Sequence, residues 1–198
     1  MVIWFLVVMS MLAVAIIIER AIFFFGQRPD VESLIRAVRE RMIRGDLEGA
    51  RKSLEGIKGV APAVGRAALA EAERGAGAVD EAAASAMVRQ RLVLERNLVF
   101  LGTAGNNAPF VGLFGTIIGI MRAFHELSAN IQGGAGAVMA GVTEALVSTA
   151  VGLMVAVPSV VAFNLFKRRA AMLLGDADAL VHNVLSGLHQ ERPDPEKG

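Results

Sequence analysis

The sequence predicts an all-α membrane protein, a polytopic chain with three transmembrane helices, its N-terminus outside and its C-terminus inside. Long helices are expected to extend from the membrane into a cytoplasmic helical bundle. Hydrophobic residues make up 54% of the 198 residues, more than an ordinary soluble domain contains. Charged residues still make up 20%, but they are nearly absent from three long stretches. No stretch alternates polar and apolar residues as a strand would.

These shifts in composition set the expected boundaries along the chain. The predicted segments are transmembrane helix 1 at 1–26, a cytoplasmic helical region at 27–97, transmembrane helix 2 at 98–127, an outer turn at 128–136, transmembrane helix 3 at 137–166, a cytoplasmic helix at 167–190 and a disordered tail at 191–198.

The first apolar stretch, VIWFLVVMSMLAVAIII at residues 2–18, ends at the charged pair Glu19-Arg20. At about 1.5 Å of rise per residue it is long enough to span a bilayer. The alternative is a cleaved signal peptide. That alternative is disfavoured because the stretch has no basic n-region and no A-x-A-like cleavage site before the charged pair.

Basic residues predict the orientation of the three helices. They follow the first apolar stretch, precede the second and follow the third, whereas the Gly-rich segment between the second and third carries no charge. By the positive-inside tendency the basic ends are cytoplasmic and the Gly-rich turn lies outside. The basic residues are Arg20, Arg28, Arg89, Arg91, Arg96 and Lys167 to Arg169.

The spacing of apolar residues predicts that the charged segments are helical. Apolar residues recur at helical spacing at positions 31, 34, 35, 38 and 42, and again at 173, 174, 180, 184 and 188. The segment EAAASAMVRQRLVLERN at 81–97 has no helix breaker and is rich in helix-forming residues. We therefore expect it to continue into the second transmembrane helix as one long rod.

Composition and motifs favour neither an enzyme nor a nucleic-acid-binding protein. The net charge is only +1, there is no cysteine, and the three histidines lack ligand spacing. The sequence HEL at 125–127 does not extend to the HExxH zinc motif, and neither GxSxG nor a phosphate-binding loop occurs. We expect no catalytic residue, no metal, no cofactor and no nucleic acid, with membrane lipid as the surrounding partner.

Polar residues inside the third apolar stretch are the first candidates for function. Glu144 interrupts GVTEALVSTAVGLMVAVP at 141–158, although an Asp at a membrane helix centre costs roughly 2.5 to 3.5 kcal/mol by insertion scales. Ser148 follows one turn later on the same face, and Thr143 is adjacent. A carboxylate in this setting indicates a water path, a partner or an ion.

Two threonines are expected at equal depth. Thr116 lies 11 residues from Leu127, and Thr149 lies 12 residues from Ala137, which places both about 16 to 18 Å from the outer ends of their helices. Facing stripes around an axis would make a ring of hydroxyls, which donate and accept hydrogen bonds without permanent charge. The alternative is that each threonine bonds its own i−4 carbonyl.

Small residues and prolines complete the candidate set. Small residues recur every three or four positions on both helices, which is the usual membrane packing pattern. The prolines interrupt backbone hydrogen bonding and are expected to bend the helices. The packing candidates are Gly112, Gly115, Gly119, Gly141, Ala145 and Gly152, and the expected bends lie at Pro109 and Pro158.

Two motifs carry a resemblance to a known family. APFVGLFGTIIGIMRAF at 108–124 and GVTEALVSTAVGLMVAVPSVVAFNLF at 141–166 resemble the signature of the MotA/TolQ/ExbB proton-channel family, its TolQ/ExbB branch in particular. IIIERAIFFF at 16–25 and the count of three spans fit the same branch. Related gliding motors carry the same signature. Almost nothing precedes the first span, so any outer N-terminal segment is expected to be minimal.

The resemblance implies a function as well as a fold. It implies an inner-membrane homopentamer around a dimer of a small, single-span ExbD/TolR-like partner whose membrane aspartate carries the proton. It also implies that Thr116 and Thr149 are the pore threonines and that Glu144 is the helix glutamate of the outer approach. Proton passage would then drive rotation and so work on the envelope, through a TonB/TolA-like protein or a gliding machinery.

Two other functions stay open at this point. One is a membrane scaffold that assembles partners without conducting ions. The other is a sodium-driven stator of the same build, because hydroxyl and carboxylate oxygens also bind Na⁺. The expected transported ion is H⁺, with Na⁺ as the alternative.

Overall fold

The computed structural model describes residues 2–27, 30–129 and 134–190. Within these ranges all regular secondary structure is helical, which confirms the all-α fold class. The predicted outer turn lies partly, and the predicted tail wholly, outside the described residues. The helices are α1 (Val2–Phe25), α2 (Val31–Ile43), α3 (Leu47–Leu54), α4 (Val60–Ala70), α5 (Ala76–Glu95), α6 (Leu98–Ala129) and α7 (Gly134–Gln190), with a 3-10 turn at Ala72–Arg74.

Three of these helices are long and apolar enough to cross a membrane. They include the segments Val2–Phe25, Leu98–Ser128 and Val138–Leu188, whose most apolar windows have mean hydropathies of 2.6, 1.4 and 2.1. Three spans were predicted, and the structure confirms that number by length and composition. The described residues form two compact units, an apolar unit (2–22, 97–129 and 134–166) and a polar unit (23–27, 30–96 and 167–190); α1 and α7 contribute residues to both.

The expected rod from residue 81 into the second span is wrong, because the chain leaves the helical conformation at Arg96 and Asn97. Arg96 is extended, with φ −52° and ψ 133°, and Asn97 is left-handed, with φ 63°. Asparagine is among the few residues that adopt this conformation readily. Instead, the third span and the helix predicted at 167–190 form the single 57-residue helix α7.

The core of the polar unit comes from the predicted apolar stripes. Leu34, Val38 and Met42 of α2 are buried, as are four of the five predicted positions on the last part of α7. That part of α7 packs against α4, since a Cβ on Gly65 would lie 2.6 Å from Leu180 Cδ2. The buried α7 residues are Leu173, Leu174, Leu180 and Val184.

In the apolar unit α1 packs against both α6 and α7. Leu6 forms a buried cluster with Ala108, Val155 and Ala156. Farther along α1, Ala13 forms a second cluster, with Leu98, Leu101 and Ala162. The N-terminal part of α1 therefore lies level with the middle of the other two helices.

Small residues let α6 and α7 approach until their backbones touch. A Cβ on Gly112 would lie 2.7 Å from the Ser148 carbonyl oxygen, and a Cβ on Gly152 would lie 2.6 Å from that of Ala108. On either side of this point Gly105 meets Val160, and Gly119 meets Ala145. The helices therefore run antiparallel in one fixed register.

Replacing Gly152 by alanine is expected to loosen this helix pair. The new methyl group would press on the Ala108 carbonyl oxygen, a backbone atom that cannot rotate away. Overpacking typically costs about 1–3 kcal/mol, so thermal unfolding of the protein in detergent should occur at a lower temperature.

Gly175→Ala is the matched control, because nothing lies within 4 Å of a Cβ at that position of α7. There the change should be neutral or stabilising, since alanine is the better helix former by about 1 kcal/mol. Equal unfolding temperatures for the two variants would contradict the close backbone contact.

Asp46 is expected to make the polar unit sensitive to acid. Its Oδ1 accepts a hydrogen bond from Gly49 N at 2.8 Å at the start of α3, and its Oδ2 accepts one from Arg41 Nη1 at 2.9 Å. The Gly49 N–H, followed by Arg41, lowers the pKa of the Asp46 carboxyl below its ordinary 3.8. Its contribution to stability is therefore complete above that ordinary value and is lost as the pH falls through the lowered pKa.

Two variants test this prediction by thermal unfolding from pH 7 to pH 3. Asp46→Ala should unfold at a lower temperature than the natural chain at pH 7. The difference between the two unfolding temperatures should shrink towards pH 3. Asp46→Asn should keep the cap, because asparagine caps helices about as well as aspartate, but should lose the pH-dependent part. A constant difference for Asp46→Ala across the range would contradict the assignment; Asp80→Asn, an exposed position on α5, serves as the control.

Candidate functional site

The antiparallel register of α6 and α7 brings the two predicted threonines together. The side-chain hydroxyls of Thr116 and Thr149 are in hydrogen-bonding contact. Thr116 is 8% exposed, and Thr149 is half-buried. Both hydroxyls thus lie at one level between the helices of a single chain, as their equal predicted depth requires.

Thr116 has more acceptors within reach than it has protons to donate. Its Oγ1 lies 3.2 Å from the Gly112 carbonyl oxygen, its own i−4 carbonyl, and 3.1 Å from the Ala145 carbonyl oxygen of α7. When Thr116 donates to a carbonyl, Thr149 donates to Thr116; when Thr116 donates to Thr149, the direction reverses. Rotation of two hydroxyls is therefore enough to change the direction of the hydrogen bond.

Of the three other polar candidates of α7, two line a cavity and one bonds its own helix. Glu144 is exposed and Ser148 is buried, and both line one cavity of about 330 Å³ in the apolar unit. Thr143 is exposed, and its hydroxyl donates to the Met139 carbonyl oxygen at 2.8 Å. The structure thus brings Glu144 and Ser148 together and leaves Thr143 bonded to its own helix.

The predicted packing residues lie where α6 and α7 touch. Gly115 faces Ser148, Gly119 faces Ala145, and Gly141 faces Ala123; a Cβ added at each glycine would lie about 2.6 to 2.8 Å from the nearest side-chain atom. Together with Gly112 and Gly152 they hold the two threonines level. Pro109 and Pro158 lie inside α6 and α7, which run through both positions without ending.

Two residues of this region were missed by the sequence analysis. Arg122 and Glu126 of α6 line the same cavity as Glu144. The signal was present, because Gly115, Gly119, Arg122 and Glu126 follow one another at steps of three and four residues and so share one helix face. Charged residues near the end of a span ordinarily reach the water at the interface. Residue type and position alone therefore do not distinguish a charged cavity residue from an ordinary interfacial one.

Part of the chain is similar in sequence to known proteins. The profile of the MotA/TolQ/ExbB proton channel family matches residues 66–178, more than half of the chain. The Tol-Pal system protein TolQ of Pseudomonas aeruginosa is 45% identical over 106 residues, which are 54% of this chain and 46% of that protein. Biopolymer transport protein ExbB of Xanthomonas campestris pv. campestris is 39% identical over 106 residues, 54% of this chain and 42% of that protein.

A third relative matches a shorter part of the chain. Biopolymer transport protein ExbB of Neisseria gonorrhoeae is 43% identical over 84 residues, which cover 42% of this chain and 38% of that protein. The chain thus matches less than half the length of these relatives. The three spans and the family match together describe a multi-pass protein of the bacterial inner membrane. The chain belongs to the MotA/TolQ/ExbB proton channel family.

Proposed function

We propose that the protein is a stator subunit that couples the proton-motive force to mechanical work on the cell envelope. The observation that carries the proposal is the hydroxyl contact between Thr116 and Thr149 at the centre of the α6–α7 pair. Membership of a proton channel family and similarity to TolQ and ExbB proteins support the same role.

The hydroxyl pair needs a proton carrier from another chain. Between residues 98 and 166 the sequence contains only two acidic residues, Glu126 and Glu144. Glu144 lies five residues from Thr149, about 7.5 Å along the helix, and Glu126 is farther from Thr116. A carboxylate level with the pair must therefore come from a partner, and we assign it to a small single-span subunit of the ExbD/TolR type.

This geometry gives the partner's carboxylate and the two hydroxyls different roles. The partner's carboxylate would take up and release the proton, while the two hydroxyls would hydrogen-bond its charged and neutral forms in turn. Hydroxyls suit this task because they both donate and accept. We propose a homopentamer of this chain around a partner dimer, with the energised process being of the Ton, Tol or gliding type.

The first test measures proton flux into liposomes under an imposed potential. The chain is purified with and without a small single-span subunit of the ExbD/TolR type. Flux should need both components and should fall about tenfold in Thr149→Val or Thr116→Val, because a lost hydrogen bond of about 1.4 kcal/mol in the rate-limiting step corresponds to that factor.

Thr103→Val is the control, because Thr103 has an exposed side chain on the same helix as Thr116. It should leave the flux unchanged. Flux from the chain alone that does not respond to the Thr149 substitution would contradict the two-component path. Absence of flux from the assembled complex would favour the non-conducting scaffold.

The transported ion is tested separately. We expect H⁺, so replacing all Na⁺ by K⁺ at constant potential and pH gradient should leave the flux unchanged. Loss of flux under that exchange would select the sodium-driven alternative.

A further inference from the structure

The cavity beside the hydroxyl pair lies at one end of the apolar unit. It is formed where α1 begins, α6 approaches its end and α7 has just begun, and its volume is about 330 Å³. A single water needs roughly 10–15 Å³ of such volume, so several fit. Its walls include Val2 of α1, Gly115, Arg122 and Glu126 of α6, and Glu144 and Ser148 of α7.

Ser148 contributes a hydroxyl to the wall of this cavity. The residue is only 5% exposed, but its Oγ is not enclosed, because the buried side-chain oxygen without a partner among the described residues is Gln27 Oε1. Ser159, a second buried serine of α7, donates instead to the Val155 carbonyl oxygen at 2.7 Å. A hydroxyl that opens into a polar cavity can bond the water held there, so Ser148 favours a hydrated cavity.

The floor of the cavity reaches the level of the threonines. Ser148 precedes Thr149, and Gly115 precedes Thr116, and both first members of these pairs line the cavity. On each helix, a residue that lines the cavity is therefore the immediate sequence neighbour of one threonine of the pair.

The walls carry charges of both signs. Glu126 and Glu144 contribute two negative charges, and Arg122 contributes one positive charge. Charged groups at membrane depth face water or one another, so these side chains also favour a hydrated cavity. A net negative wall raises the local concentration of cations, and Arg122 opposes that effect.

We propose that this cavity is a water-filled vestibule through which ions reach the Thr116–Thr149 pair from the side of one subunit, and that Arg122 limits its preference for cations. The hydration of the cavity is inferred from its volume and from the Ser148 hydroxyl in its wall. The identity of its ion rests on the function proposed above.

Single-cysteine labelling tests the vestibule directly. The chain contains no cysteine, so each variant carries one reactive site in an otherwise natural sequence. Ser148→Cys and the matched control Ser159→Cys are assembled with the small partner in membrane vesicles of known orientation. Each is exposed to membrane-impermeant methanethiosulfonates, one cationic and one anionic.

Ser148→Cys should react from the side on which α1 begins, about 100-fold faster or more than Ser159→Cys, because only a hydrated thiol forms the reactive thiolate. Ile118→Cys provides a second site, since Ile118 lines the cavity from α6. It should react from the same side even if Ser148→Cys fails to assemble. Protection of both cysteines, or reaction from the opposite side alone, would overturn the vestibule.

Charge substitutions test the role of Arg122. In the Ser148→Cys background, Arg122→Gln should raise the ratio of cationic to anionic labelling about threefold or more, and Glu144→Gln should lower it by a similar factor. An unchanged ratio in both would overturn the assignment of Arg122.

Labelling and flux separate the two proposals. A labelled Ser148→Cys in a complex without proton flux would keep the vestibule and reject the channel function. Flux through a complex whose Ser148→Cys and Ile118→Cys are both protected would keep the channel and reject this entry route.

Discussion

The contact between the backbones of α6 and α7 at Gly112 and Gly152 is the constraint on which the candidate site depends. Two helices separated by side chains can slide and rotate past one another at small cost, whereas helices in backbone contact have few alternative arrangements. Here that contact fixes which residues face each other for several turns in both directions. The meeting of Thr116 with Thr149 is one consequence, and the position of Ser148 beside Gly115 is another.

The hydroxyl groups described in the apolar unit fall into two classes, according to whether each one bonds only a carbonyl of its own helix. Ser159 and Thr143 bond carbonyls of their own helix and need nothing further. Thr116 and Thr149 bond across the helix pair, and Ser148 has no partner within the described part of the chain. The hydrogen bonds of a hydroxyl that depends on a neighbouring helix or on water change when that helix or that water moves. The site is assigned to Thr116, Thr149 and Ser148 for this reason.

The fold and much of the site could be predicted from the sequence, for identifiable reasons. Hydropathy located the spans, and stripes at helical spacing located the buried faces, because both are properties of single helices. Equal depth predicted that Thr116 and Thr149 would lie level, since rise per residue is constant. The break at Asn97 was missed because a left-handed asparagine has no composition signal when no glycine or proline accompanies it.

The cavity was beyond prediction for a different reason. Arg122 and Glu144 belong to different helices, and only the packing of α1 against both closes the space they share. The side chain of Asn97 illustrates the same limit, because its amide lies 3.4 Å from Glu19 Oε2, far away in sequence. Contacts between helices depend on rotation about each axis, which periodicity leaves undetermined for spans that are apolar on all sides.

The glycine register has a consequence for how such a chain can diverge. From Gly105 to Gly119 the helix advances 14 residues, and from Val160 back to Ala145 its neighbour advances 15. Deleting one residue within either segment would turn every side chain beyond it by about 100° and remove a small residue from each later contact. An insertion or deletion in this interval would therefore keep the helix contact only if the opposite helix changed in length to match.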